Sequence, residues 1–390
     1  MFRLEIKRLI KTRSVAVLAV IALAASAFFA YSVVRSAGSM DARGFITLRG
    51  MEAIKYQQEI YADVEGYVTP ELISEFDCLS KEYREVYGSP FDMPPEVYDE
   101  WISYEPVLSA VSSVTNSGYE VEDYYDARKD VLHSLGSYIN ESVARLALWL
   151  DTGAEEPFYW EYGFGSGEYG YYWTICLFVI CLICVIIASP AFSQDYATDA
   201  DSIQRCTKLG REQLAKVKMG SVFAFCTSLY FACAVIFCGI LLLTLGPDSS
   251  AVQFKLGWGA LTGMNMNEAL ALCTLSGLLT MLASISLTMW ISCMQPNTVM
   301  VLVISAAALA LPMFADHYLD YPVSDWIRLL LPGGGTGLQN SMYYELPDFK
   351  FLTVGSLAIW TPFVMLAAPV IETPVFALLA KRAYTRHECA

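Results

Sequence analysis

The sequence predicts an all-α membrane protein of six transmembrane helices, with an amphipathic N-terminal interfacial helix and a mainly helical extracellular domain. Three observations predict it. Several runs exceed the roughly 18 apolar residues that suffice to cross a bilayer, in a 390-residue chain that is 55% hydrophobic with a mean hydropathy of +0.42. Basic residues collect in the segments that six crossings place on one side. A polar, acidic and tyrosine-rich stretch separates the first apolar run from the other five.

Residues 1–13 carry Phe2, Ile6, Leu9 and Ile10 on one helical face, with Arg3, Lys7, Arg8 and Lys11 mostly elsewhere. This reads as an amphipathic helix lying in the cytoplasmic interface, or as a basic flank that orients the next span. Residues 14–36 form the first transmembrane helix. The apolar run is long for a secretory signal, which favours an uncleaved anchor.

Residues 37–170 are the extracellular, mainly helical acidic domain, long enough for a small core of its own. Thr69-Pro70-Glu71 starts a helix with Pro at its first position, followed by Leu72, Phe76, Leu79, Tyr83 and Val86 at helical spacing. A second helix is expected around 124–150, with Val131, Leu135, Ile139, Val143, Leu146 and Leu150 on one face, and prolines 90, 94 and 95 break the chain between the two. Cys78 is the domain's one cysteine, so no disulfide forms within it. Its acidic, aromatic face suits a cationic peptide or a cell-wall component, or is simply solvated. The aromatic stretch 158–173 suits the outer lipid interface. Gly163-Phe164-Gly165-Ser166-Gly167 lacks the preceding strand and following Gly-Lys-Ser/Thr of a phosphate cradle.

Residues 171–380 hold helices two to six, at about 171–188, 219–245, 269–294, 298–315 and from about 351 onward. The last is broken by Pro362, Pro369 and Pro374 before the cytoplasmic tail 381–390. In the outer loop 316–350, residues 326–331 precede Pro332-Gly333-Gly334-Gly335. This is a short helix dipping into the leaflet and turning back, or an interfacial loop with glycines. The three substantial segments on the terminus side hold 13 basic and six acidic residues, against 12 basic and 33 acidic in the outer segments. By the positive-inside rule both termini are cytoplasmic. The location expected is a bacterial plasma membrane.

The loop at 189–218 reads SPAFSQDYATDADSIQRCTKLGREQLAKVK. Asp201 with Gln204 makes a capping-box start, and Lys208 with Gly210 a basic last turn and a stop. Arg211 resumes a helix that runs into the third span. Ala191-Phe192-Ser193-Gln194-Asp195, a short helix from Ile203 to Leu209, then Gly210-Arg211 and Lys216 or Lys218 resemble the loop between the second and third spans of type-two ABC-exporter permeases. That family has Phe and an acidic residue before a short helix, then Gly-Arg and a lysine. The resemblance covers most of the chain except the insert, and residues 1–13 resemble the family's elbow helix. It implies an ABC-exporter permease subunit, paired with an identical or related one and served by separate cytoplasmic ATPase subunits. These partners hold the ATP and Mg; this chain carries no cofactor. ATP-driven closure would press on Ile203 to Leu209. Arg205, Lys208 and Arg211 are the charges expected at that interface, and Ile203 and Leu209 the apolar anchors.

Catalytic signatures are missing from the sequence. It has no Walker A motif and no Gly-Lys dipeptide, so the chain is not expected to hydrolyse ATP. Its three histidines, His133, His317 and His387, are scattered and make no zinc motif. Cys181 and Cys184 have the spacing of a metal pair but read as buried apolar residues. Neither an enzyme nor a nucleic-acid binder is expected. Glu372 is the one ionisable residue within an apolar run, and a carboxylate there is costly without a partner or water. Counting from 351 puts it near the inner interface; the alternative is a place in the translocation path. The expected function is export of an amphiphilic peptide or lipid-like compound. The alternative is a membrane sensor or scaffold whose outer domain binds a ligand without transport.

Overall fold

Among the described residues, six helices are long and apolar enough to cross a membrane, and they frame the molecule. A computed structural model describes residues 1–40, 46–116, 118–120, 123–151, 157–198, 210–257, 259–320, 323–336, 338 and 341–386. Helix α1 (Phe2–Lys11) is short and amphipathic, and Thr12 turns it into α2 (Arg13–Ser36), the first long helix. The other five are α8 (Tyr169–Ala188), α10 (Gly210–Leu245), α12 (Met266–Met294), α13 (Thr298–Tyr318) and α16 (Thr361–Arg386).

Composition sorts these helices into interior and periphery. α8 is apolar all round, and 67% of its most apolar stretch is buried, against 22% for α16 and 28% for both α2 and α13. α8 is therefore interior, while the other three turn broad apolar faces outward. α12 is the central strut, packed most extensively on α16 and also against α8, α10 and α13. A complete capping box opens α12: Asn265 accepts from the Glu268 N–H, and Glu268 accepts from the Asn265 N–H. After the expected turn at Pro296, the Asn297 side-chain oxygen Oδ1 accepts from the Val299 and Met300 N–H groups and starts α13.

The insert holds α3 (Met51–Tyr61), α4 (Pro70–Tyr87), α5 (Pro95–Thr115), α6 (Tyr124–Ile139) and α7 (Glu141–Leu150). Two small sheets join them: β1 (Gly38–Met40) with β2 (Ile46–Arg49), and β3 (Gly66–Val68) with β4 (Phe158–Trp160). α4 begins as expected, with the Thr69 hydroxyl accepting from the Leu72 N–H. The second expected helix is two. Asn140 is extended (φ −169°) and caps α7 through the Ser142 N–H, so the chain folds back and α6 lies against α7. The break rearranges the expected face: Leu132, Val143 and Leu150 are buried, whereas Leu135 and Ile139 are exposed.

The insert core is not self-sufficient. Ile73, Phe76, Val107, Val111, Tyr124, Phe158 and Trp160 form it, and Ala251 and Phe254, from the segment joining α10 to α12, pack against it. That segment carries α11 (Val252–Lys255). Buried Arg128 makes a two-pronged pair with Asp151 (3.0 and 2.9 Å) and also donates to the Ala260 carbonyl at 2.9 Å. The Gly165 N–H donates to Asp248 at 3.0 Å, and a Cβ on Gly165 would lie 2.6 Å from that carboxylate oxygen. The glycine-rich stretch at 163–167 is thus a seam between backbone segments.

The sixth long helix starts later than the count from 351 implied. Residues 351–360 form a hairpin, β5 (Phe351–Val354) against β6 (Leu357–Trp360), closed by a two-residue Gly355-Ser356 turn. β-branched and aromatic residues flanking that turn favour paired strands over a helix. Glu372 accordingly lies eleven residues into α16 and fourteen from its end. At 1.5 Å per residue it is about 16 Å from one end and about 21 Å from the other, so it is not at an end of the helix.

Candidate functional site

The sequence-predicted loop is described at its two flanks. Asp201, Ile203, Gln204, Arg205, Lys208 and Leu209 lie outside the described residues, and Gly210 and Arg211 are described as the backbone that opens α10. Helix α9 (Pro190–Ala197) leads into the loop, with Pro190 at its first position, where a missing N–H costs nothing.

Around α9 the ends of four long helices and α1 converge. The Asp195 carboxylate forms an ion pair with Lys218 of α10, and both residues are buried. Arg8 of α1 approaches Asp195 at 3.9 Å. The Lys218 ammonium also lies over the Phe192 ring, 5.7 Å from its centroid. Phe192 in turn meets Tyr384 of α16, with ring centroids 4.9 Å apart. The Phe192 and Ser193 N–H groups both donate to the Ser292 hydroxyl of α12 (3.1 and 3.0 Å), which donates back to the Ser189 carbonyl at 2.8 Å. The Ser193 and Thr298 hydroxyls are 2.9 Å apart, adding α13. Of the alternatives left open by the sequence, Asp195 and Lys218 are the buried pair. Lys216 is exposed, 3.0 Å from Glu212, which also meets Lys381 of α16 at 2.6 Å.

The clamp has a plain physical logic. An ion pair taken out of water repays its desolvation only where geometry and further contacts support both charges, and here a ring face and a second cation supply them. α9 is thus tied to the long helices by backbone as well as side-chain bonds.

α12 connects this clamp to the opposite end of the bundle. Ser276, Thr280, Ser284, Thr288 and Ser292 recur every four residues on one buried face. At one end Ser292 binds α9. Toward the other, Ser284 donates to the Pro332 carbonyl at 3.0 Å, and a Cβ on Gly335 would lie 2.2 Å from the Thr280 hydroxyl. The Pro332 to Gly335 turn therefore reaches well down the bundle, touching α8, α12, α13 and α16. The short helix expected at 326–331 is observed at Val323–Leu329, and the turn after it packs among the long helices. The stripe was readable as Ser/Thr at four-residue spacing, whereas the turn's docking needed the tertiary structure.

The dipping turn is anchored by charge. It lies between α14 (Val323–Leu329) and α15 (Met342–Glu345), where buried Arg328 bridges Asp325 at 2.8 Å and Glu345 at 2.6 Å. Burial alone would raise the Glu345 carboxyl, but the hydrogen bond and charge of Arg328 outweigh it and hold the group below the usual carboxylate range. Burial likewise works against the charged Arg328, and its two carboxylates more than offset this, raising its pKa.

Glu372 stands apart from these clusters. It is partly exposed on the central part of α16, and its Oε2 atom is enclosed with no hydrogen-bond partner among the described residues. Cys181 and Cys184 are buried inside α8. Among the described residues no group of three His, Cys, Asp or Glu side chains is placed to hold a metal ion.

Comparison with protein-family models finds none that matches this chain, and a search of curated proteins finds no match either.

Proposed function

We propose that this chain is the membrane-spanning permease subunit of an ABC exporter, working with a second permease copy or a related subunit and with separate cytoplasmic ATPase subunits that bind ATP and Mg. The carrying observation is the clamp around Asp195 and Lys218, which ties the base of the 189–218 loop to α1, α10, α12, α13 and α16. In this reading the clamp end faces the bacterial cytoplasm and the insert end faces outward. The division of charge along the sequence supports that orientation, and α1 lies at the inner interface. ATPase closure pushes the segment from Asp201 to Arg211, and α9 passes the push to the helix ends. Ser292 and the hydroxyl face of α12 carry it toward the dipping turn. The chain itself does no ATP chemistry.

The test is affinity purification of the tagged chain from its native host in mild detergent, repeated with Arg205, Lys208 and Arg211 changed to Glu. The reading expects a Walker-motif ATPase in the wild-type sample and its loss on charge reversal. Recovery of other membrane complexes without any ATPase would overturn it. An open cleft between α4 and α5, lined by Asp77, Lys81, Arg84 and Trp101, favours the second reading of a ligand-sensing insert. That reading predicts function retained when 201–211 is replaced and lost when the insert is removed.

A further inference from the structure

Glu372 is a charged group within an apolar helix for which neither the fold nor the clamp gives a partner among the described residues. A carboxylate in the central part of an apolar helix costs several kcal/mol in order of magnitude unless something cationic or wet meets it. Its Oε2 is enclosed without a hydrogen-bond partner among the described residues, while the residue as a whole is partly exposed on α16. Two prolines open the helix around it. Pro374 has no N–H, so the Val370 carbonyl loses the donor that position 374 would supply, and Pro369 does the same to the Met365 carbonyl. The Thr373 hydroxyl donates to the Pro369 carbonyl at 2.7 Å.

Aromatic rings lie one turn farther along. Phe376 follows Glu372 by four residues, on the same face of α16, and stacks with Trp290 of α12 at 5.6 Å between centroids. A carboxylate, a backbone carbonyl with a missing donor and a Trp-Phe pair make a set that recognises a cation with an apolar body: the carboxylate matches the charge, the rings bind its face and edge. The carboxylate and the carbonyl oxygen repel anions, and the ring faces do the same.

We infer that Glu372, with Trp290 and Phe376, forms a lateral binding site for a lipophilic organic cation, and that the exported compound carries an ammonium or similar positive group. The second part rests on the exporter reading; the first does not.

The test uses the full chain, with whatever subunits co-purify, in nanodiscs of zwitterionic lipid, and measures equilibrium binding of tetraphenylphosphonium. Saturable binding is expected, weakened at least about thirtyfold by E372Q, the low side of what removing one partner of a desolvated charge pair does. E372D should bind within about threefold of wild type because it keeps the charge. The W290L/F376L double variant should weaken binding by roughly three- to thirtyfold, as loss of a cation–π contact does. Tetraphenylborate, equal in size and opposite in charge, should not lose affinity in E372Q. Absence of saturable cation binding by wild type, or equal affinity in E372Q, overturns the site, including the case where E372Q changes only self-association. E372Q is near-isosteric, and a melting temperature at or above wild type verifies its fold. Cation binding in a chain that recovers no ATPase would reject the exporter reading and leave the site standing.

Discussion

Arg328 and Glu372 belong to neighbouring stretches of the chain and meet opposite fates. Arg328 is wholly buried, and two carboxylates surround it; the Glu372 carboxylate has an enclosed oxygen and no partner among the described residues. The first arrangement is what a charge needs to survive burial, and it docks the dipping turn. The second is what a structural role alone would remove, because glutamine or leucine there would cost less. Paired charge fixes position, and unpaired charge awaits a partner.

Breaking the paired side should have the largest effect. R328M strands two buried carboxylates, so at least about 3–5 kcal/mol of stability should be lost, read as a collapse of the melting temperature in detergent. Restoration of wild-type stability by R328M alone would show that the cluster holds nothing. K218M strands Asp195 at the clamp and should cost about 3–5 kcal/mol. Because each single change leaves the other charge buried, the D195N/K218M double variant should recover part of that loss; simple addition of the two costs would show the pair is not coupled.

Acid should separate the two ends by a smaller amount. The folded-state pKa of Glu345 is depressed, so its contribution is present above the unfolded carboxylate value, about 4.3, and is lost as pH falls through the lower folded value. Thermal unfolding between pH 7 and pH 3 should show a drop below about pH 4 that is shallower in E345Q. A variant curve parallel to wild type would remove Glu345 from the account. The smallest expected effect is that of E372Q on stability, which should be nil or favourable, since an unmet carboxylate disappears.

The orientation can be read on the protein's own thiols. Cys78 is exposed on the insert, and most of the other described cysteines are buried. With Cys206 and Cys389 changed to Ser, a membrane-impermeant maleimide should label Cys78 in intact cells. Labelling only after lysis would invert the assigned sides.

Much of the frame was legible because hydropathy and punctuation are local signals. The apolar runs, the Thr69-Pro70 helix start and the Pro296-Asn297 turn are all where the residues indicate. Non-local pairing was not legible. The hairpin at 351–360 sits in an apolar run, where periodicity cannot separate strand from helix, so the start of the last long helix at Thr361 needed the strand pairing. Asn140 divides a helical pattern that is otherwise continuous. Ala251, Phe254 and Ala260 join the insert from a segment far along the chain, which no window over 37–170 contains. At the candidate site the sequence picked out Phe192 and Asp195, but the choice of Lys218 over Lys216 depended on which face of α10 turns inward.

The central claim is that the 189–218 loop receives a push from an ATPase. Its most direct test is site-specific cross-linking from Arg205→Cys in the native membrane, with Cys206 changed to Ser, read by mass spectrometry with and without ATP. The account predicts a cross-link to a Walker-motif subunit whose yield changes with nucleotide. Cross-links only to other proteins or to lipid, in membranes where that ATPase is present, would contradict it.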